Sequence, residues 1–203
     1  MPNLAIPRHD VHRISEACAE DGDRYRGIAA RLLKQQKRLL SFFKANLPSM
    51  DAQTGEVSVY LFSVVVQIFD QYGGDLPKVN GRQINAAAAR VQGLMDGLLP
   101  FDDGFADRVR TIEDRAQPHI LDEALWALFE RSKRKDGEVD MELHQAGLLF
   151  VMLWVAAEAL DSAWRVPSDI EQRIAAAPEW VQPEEDEEDE TDEADEADEA
   201  DEA

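Results

Sequence analysis

A histidine and a glutamate with helical spacing are the residues of this sequence best suited to acid–base chemistry. Glu123 follows His119 by four residues, inside a segment whose apolar stripe predicts a helix. On a helix this spacing brings the two side chains together, so the carboxylate can orient the imidazole or share a proton with it. Such pairs more often decorate a helix surface, and we therefore predict no catalytic residues.

The N-terminal residues contain a second group of side chains that could bind a metal ion. His9 and His12 are three residues apart, and Glu16 lies four residues after His12. Imidazole and carboxylate groups are common metal ligands. No matching pair follows later in the chain, so we expect a solvated N-terminal arm with two titrating histidines and no metal site.

Motifs for nucleotides and cofactors are absent from the sequence. Neither a glycine-rich phosphate loop nor a nucleophile elbow occurs, and the segment 132–143 lacks the first and last ligands of a calcium loop. Cys18 is the only cysteine, which excludes an intramolecular disulfide and favours a reducing compartment such as the cytoplasm. We predict no cofactor, and we favour a protein that is not an enzyme.

Large aromatic residues concentrate in the second half of the sequence. Trp126 and Phe129 fall in one predicted helix, and Phe150, Trp154 and Trp164 follow in the next. A pocket between these helices would indicate a small helical enzyme or ligand-binding protein with a His/Glu site beside it. Aromatic residues at helical spacing usually fill a core, and core packing is the interpretation that we prefer.

Basic residues lie on one side of a predicted amphipathic helix over residues 24–47. At 100° per residue they fall opposite an apolar arc that includes Leu32, Leu39 and Phe43. We name them the basic face and consider them the candidate binding residues. The basic face consists of Arg26, Arg31, Lys34, Lys37, Arg38 and Lys44.

Acidic residues concentrate at the C-terminus. The chain has 203 residues, of which 42 are acidic and 21 basic, and a net charge of −21. Fifteen carboxylates lie within residues 184–202, which leaves 27 acids against 21 bases, a net charge of −6, for the rest. Because no large apolar residue follows Val181, the segment cannot bury enough surface to offset its ordering entropy. The sequence predicts a disordered acidic tail.

Apolar periodicity predicts five main helices and one or two short ones. Asn80 with Gln83, and Ser168 with Glu171, have the spacing of capping pairs. We therefore predict an all-α, single-domain helical bundle over residues 24–177, preceded by an N-terminal arm over 1–23, part of which can be helical, and followed by an acidic low-complexity tail over 178–203. The predicted main helices cover 24–47, 56–72, 80–98, 118–135 and 140–165, and the short ones cover 105–112 and 168–177.

The charge pattern favours a non-enzymatic interaction or adaptor protein whose acidic tail tunes electrostatic binding at the basic face. The candidate ligands of that face are a protein partner and the tail itself. Nucleic acid and an anionic membrane surface are alternatives, because both attract clustered cations. Burial of Leu32, Leu39 and Phe43 in the body would disfavour insertion into lipid and leave only the charged side available.

Overall fold

The computed structural model describes residues 2–181 except 21, 48–50 and 131–140. Within these ranges the chain forms nine α-helices and no β-strand, which confirms the all-α fold. The predicted disorder of the acidic tail concerns residues 184–202, which lie outside the described residues. The helices are α1 (Arg8–Glu20), α2 (Gly22–Gln35), α3 (Lys37–Asn46), α4 (Ala52–Tyr72), α5 (Gly81–Leu94), α6 (Phe105–Arg110), α7 (Pro118–Leu125), α8 (Leu143–Ala163) and α9 (Ile170–Ala176).

Helix α8 forms the centre of the fold. Thirteen of its 21 residues are buried, and it packs against α4, α5 and α7. It is the one helix in the described ranges that is long and apolar enough to cross a membrane, with a mean hydropathy of 1.6 over its most apolar stretch. However, 72% of that stretch is buried inside the protein. This burial agrees with a central helix that is apolar on nearly all sides.

The helix predicted over residues 24–47 is divided into α2 and α3 at Gln36. This residue departs from helical geometry, with φ −92° and ψ 42°, and is only 3% exposed. Its side-chain carbonyl accepts the backbone N–H of Val79 at 3.0 Å, and its amide donates to the carbonyl of Pro77 at 3.2 Å. The prediction of one continuous helix was wrong because this polar residue turns inward and pairs with the extended backbone before α5.

Helix α1 lies inside the segment predicted as an N-terminal arm. Val11, Ile14 and Cys18 recur at helical spacing and are 1% exposed or less, because α1 packs against α4 and α7. Burial raises the pKa of the Cys18 thiol to about 11, so the thiol is protonated at neutral pH. The N-terminal histidines therefore belong to a packed helix rather than to a solvated arm.

The two predicted capping pairs have different outcomes. Asn80 and Gln83 form the expected capping box at the start of α5, in which the side-chain oxygen of each residue accepts the backbone N–H of the other. At α9 the prediction was wrong, because the helix begins after Asp169 and Ser168 is not its N-cap. The Asp169 carboxylate instead accepts a hydrogen bond from Nε of Arg173, one helical turn later, with an N–O distance of 2.9 Å.

A buried glutamine connects the N-terminal residues to α7 and α8. Gln117 adopts the left-handed region, with φ 50°, directly before Pro118 in the first turn of α7. Its side-chain carbonyl accepts the N–H of Ile6 at 2.9 Å. Its amide donates to the carbonyl of Leu4 at 3.1 Å and to Asp161 at 2.8 Å. These bonds fix the chain that leads into α1 beside α7, and so position the polar residues of α1.

Candidate functional site

The basic face lies on the outer side of α2 and α3. Leu32, Leu39 and Phe43 are 2% exposed or less, so the apolar arc is part of the core. All six residues of the basic face are exposed. Insertion into lipid would need the apolar side that the core already occupies. The charged side is therefore the part of these two helices that can contact a partner.

Four of the six cations of the basic face have no neutralising neighbour in the part of the chain that the structure describes. The guanidinium nitrogen of Arg31 lies 3.6 Å from a carboxylate oxygen of Asp70 on α4. The side chains of this pair are 62% and 35% exposed, so water screens their attraction. Among the residues that the structure describes, no ion-pair partner is present for Lys34, Lys37, Arg38 and Lys44.

Glu123 contacts His12 rather than His119. Its Oε1 lies 3.0 Å from Nδ1 of His12, and Oε1 of Glu16 lies 3.2 Å from Nε2 of the same imidazole. The contact between His119 and Glu123 inferred from helical spacing does not form within the described ranges, because the docking of α1 on α7 gives Glu123 a partner 111 positions away. We name His12, Glu16 and Glu123 the His12 cluster.

His119 lies in a network of structural ion pairs. Burial lowers the pKa of its imidazole, and the positive charges of Arg8 and Arg115 act in the same direction, whereas Asp122 opposes them. Asp122 in turn pairs with Arg115 at 2.8 Å and lies 3.6 Å from Arg8. A neutral His119 thus sits beside charges that already have partners, which is an arrangement typical of a structural role.

Aromatic rings hold the imidazole of His12 in place. Trp126 and Trp180 meet it edge-on, with ring centroids 6.4 Å and 5.0 Å away. The guanidinium of Arg8 lies over the ring of Trp180 at 5.1 Å and approaches Glu123 at 3.9 Å. The side chains of His12 and Glu123 are consequently only 13% and 12% exposed.

The three N-terminal side chains considered as metal ligands do not converge on one point, since only His12 and Glu16 are in contact. His9 is exposed, whereas His12 is directed towards Glu123. In the described part of the chain, no group of three or more His, Cys, Asp or Glu side chains is arranged to hold a metal ion. The His12 cluster is better described as an imidazole hydrogen-bonded to the buried carboxylate of Glu123, with the exposed carboxylate of Glu16 beside it.

A cavity of about 270 Å³ lies between α1, α4 and α7, and we name it the α1–α7 cavity. Apolar side chains of α4, among them Leu61, Val64 and Ile68, form part of its lining. The rest of the lining mixes apolar and polar side chains, and the Oγ of Ser15 in it is buried without a hydrogen-bond partner among the described residues. The polar part of the lining consists of His12, Ser15, Glu16, Glu20 and Glu123.

Most aromatic residues considered for a pocket belong to the core instead. Phe150 and Trp154 have no exposed surface, and Trp164 donates its indole N–H to the carbonyl of Gly73 at 2.9 Å. The preferred interpretation of core packing is confirmed for these three residues. Trp126 differs because it lines the α1–α7 cavity, which is bounded by α1 and α4 as well as by the late helices.

Comparison with known protein families, curated proteins and solved structures finds no match. The features of the molecule that bear on its function are therefore the basic face, the His12 cluster and the α1–α7 cavity. From the sequence, His12 and Glu16 were considered together, but their association with Glu123 and the cavity were missed. The one available signal was the spacing of Val11, Ile14 and Cys18, which indicates that residues 8–20 form a helix with an apolar side to bury.

Proposed function

We propose that this protein is a non-enzymatic interaction protein that binds an acidic protein partner through the basic face, and that its own acidic C-terminal sequence competes for that face. The observation that carries the proposal is the exposure of six cations in a chain with twice as many acids as bases. A cytoplasmic location belongs to the proposal, because the single thiol, Cys18, is buried and cannot form an intramolecular disulfide.

Binding at the basic face requires several cations at once. One exposed ion pair contributes only about 0.2 to 1 kcal/mol, so a single carboxylate would bind weakly. An acidic segment of a partner offers a row of carboxylates to α2 and α3 together. Because exposed charges are screened over about 8 Å at physiological ionic strength, this binding weakens as salt is added.

The acidic segment 184–202 supplies a competitor within the same chain, with 15 carboxylates. Twenty residues that behave as a random coil have a root-mean-square end-to-end distance of roughly 25 Å, comparable to the width of a small domain. Tethering gives such a segment an effective concentration on the order of mM. Weak contacts are then sufficient for competition with a partner, and removal of the segment strengthens binding.

The experiment compares the full chain with a chain that ends at Gln182, using a fluorescent polyglutamate peptide as the acidic probe. We expect the shorter chain to bind the peptide about three- to tenfold more tightly by fluorescence anisotropy at low salt, and both affinities to fall at high salt. Equal affinities of the two chains would remove the competition from the proposal. An affinity that does not depend on salt would contradict electrostatic binding.

Matched charge reversals locate the binding surface. Lys34→Glu with Lys37→Glu changes two cations of the basic face and is expected to abolish measurable peptide binding. Arg13→Glu with Arg165→Glu makes the same change in net charge at two exposed arginines that already pair with Asp10 and Asp75 at 2.9 and 3.0 Å. The control variant should keep most of the affinity, and an equal loss in both variants would mean that the basic face is not the site.

A further inference from the structure

The α1–α7 cavity has the size and mixed lining of a small-molecule site. Its volume of about 270 Å³ corresponds to roughly nine water molecules at about 30 Å³ each. Ligand sites in proteins are concave and mainly apolar, with a few polar groups that fix the orientation of the ligand. The α4 side chains provide the apolar surface here, and the polar groups of α1 and α7 lie beside it.

The charge of the lining is negative. Glu16, Glu20 and Glu123 contribute three carboxylates, and neither lysine nor arginine occurs among the described residues that line the cavity. Among these described residues His12 is the one imidazole, so they keep an excess of two negative charges even when it is protonated. Glu16 and Glu20 are exposed, whereas Glu123 is buried. Two of the three carboxylates, of which only Glu16 contacts His12, thus lie on the solvent side of the lining.

The nearest guanidinium group is already engaged. Arg8 lies 3.9 Å from Glu123 and 3.6 Å from Asp122, with its guanidinium over Trp180. Arg8 therefore offsets the charge of Glu123, and it forms no ion pair with Glu16 or Glu20. A ligand that carries a negative charge would meet these two carboxylates, whereas a cation would be attracted to them.

We infer that the α1–α7 cavity binds a small organic ammonium ion that carries an apolar chain or ring of roughly eight carbon atoms. The apolar part packs against Leu61, Val64 and Ile68, and the ammonium group lies near Glu16 and Glu20. An ammonium N–H can donate to the Oγ of Ser15, a buried atom without a hydrogen-bond partner among the described residues.

Aromatic side chains in the lining strengthen the preference for a cation. Tyr60 and Trp126 both belong to it, and the face of an aromatic ring attracts an ammonium group within about 6 Å. The inference does not depend on the proposed function, because none of the six residues of the basic face lines this cavity. The two sites attract ligands of opposite charge.

The test uses three probes of equal chain length: octylammonium, octanol and octanoate. Isothermal titration calorimetry of the full chain should show saturable binding of one octylammonium per protein. We expect octanol and octanoate to bind about tenfold more weakly or worse, because neither gains the attraction of the carboxylates. Equal affinity for the three probes, tighter binding of octanoate, or no binding of octylammonium would each overturn the inference.

Two variants separate the cavity from non-specific attraction to an acidic chain. Ala127→Trp places a large ring at an exposed position of the lining and should abolish octylammonium binding. Glu16→Gln with Glu20→Gln should weaken octylammonium binding about tenfold and leave octanol unchanged. The matched control, Glu56→Gln with Glu171→Gln, removes the same charge from exposed positions outside the cavity and should keep the full affinity. Equal weakening by both double variants would overturn the inference.

Discussion

The basic face and the His12 cluster use charged side chains in opposite ways. The six cations of the basic face come from 19 consecutive residues and share one sign, and all of them are exposed. The His12 cluster combines an imidazole and a carboxylate of α1 with Glu123, which lies 111 positions from His12 on α7, and the side chains of His12 and Glu123 are only 13% and 12% exposed. The cations of the basic face are open to a partner, whereas the side chains of the His12 cluster hold α1 and α7 together. Substitutions in the two regions should therefore change different properties.

The two sides of α3 should give the largest contrast. Phe43 has no exposed surface and stacks on Phe62 with ring centroids 4.2 Å apart, so Phe43→Ala should lower the free energy of unfolding by about 3 to 5 kcal/mol. Lys44→Ala, one residue further on, should change it by less than about 0.5 kcal/mol. Urea denaturation followed by circular dichroism measures both values. Comparable losses would show that the basic face supports the fold and is not simply exposed.

The two carboxylates on His12 should give an intermediate contrast. Glu123→Ala removes a buried acceptor at 3.0 Å from the imidazole and should lower the free energy of unfolding by about 1.5 to 3 kcal/mol. Glu16 contacts the same imidazole at 3.2 Å, but its side chain is 59% exposed, so Glu16→Ala should cost about 0 to 1 kcal/mol. The same denaturation experiment compares them. A larger loss for Glu16→Ala would contradict the role of burial in the cluster.

Acidification should give the smallest effect, through His119. Burial lowers the pKa of this imidazole below its ordinary value of about 6.5. As the pH falls, the unfolded chain therefore takes up a proton on His119 before the folded chain does. The stability that depends on neutral His119 is lost as the pH falls from about 7 through the ordinary pKa and then through the lower pKa of the folded chain. His119→Gln should lose less stability than the original chain between about pH 7 and 5.

Thermal unfolding across this pH range tests the role of His119. His144→Gln, which removes a histidine from an exposed position on α8, is the matched control for the loss of an imidazole. If His119→Gln and the original chain lose stability in parallel, His119 does not contribute to the pH dependence.

The sequence was sufficient to predict the parts of the fold that depend on local patterns. The apolar arc of Leu32, Leu39 and Phe43 identified the buried side of α2 and α3, and the pair Asn80 and Gln83 identified the start of α5. The break at Gln36 could not be predicted, because its partners lie in the backbone of residues 77–79. A helical pattern contains no information about such a distant acceptor or donor.

The candidate sites differ in the same way, since one depends on a local pattern and the others depend on the packing of distant helices. The basic face was predictable because its residues share one side of consecutive helical turns, and their exposure follows from the burial of the other side. The contact between His12 and Glu123 was not predictable, because spacing along α7 suggested His119 as the partner. The cavity depends on how α1, α4 and α7 pack, and no local pattern specifies that arrangement.

The position of Trp180 determines what a cut near the C-terminus would produce. The acidic run begins at Glu184, four residues after the ring that lies against His12 and Arg8. Cleavage after Gln182 would remove the acidic run and leave Trp180 on the protein. Cleavage before Trp180 would also uncover the imidazole and one face of the guanidinium. Proteolytic trimming at this end would thus yield two shortened species, one altered only in charge and the other also in the surface of α1.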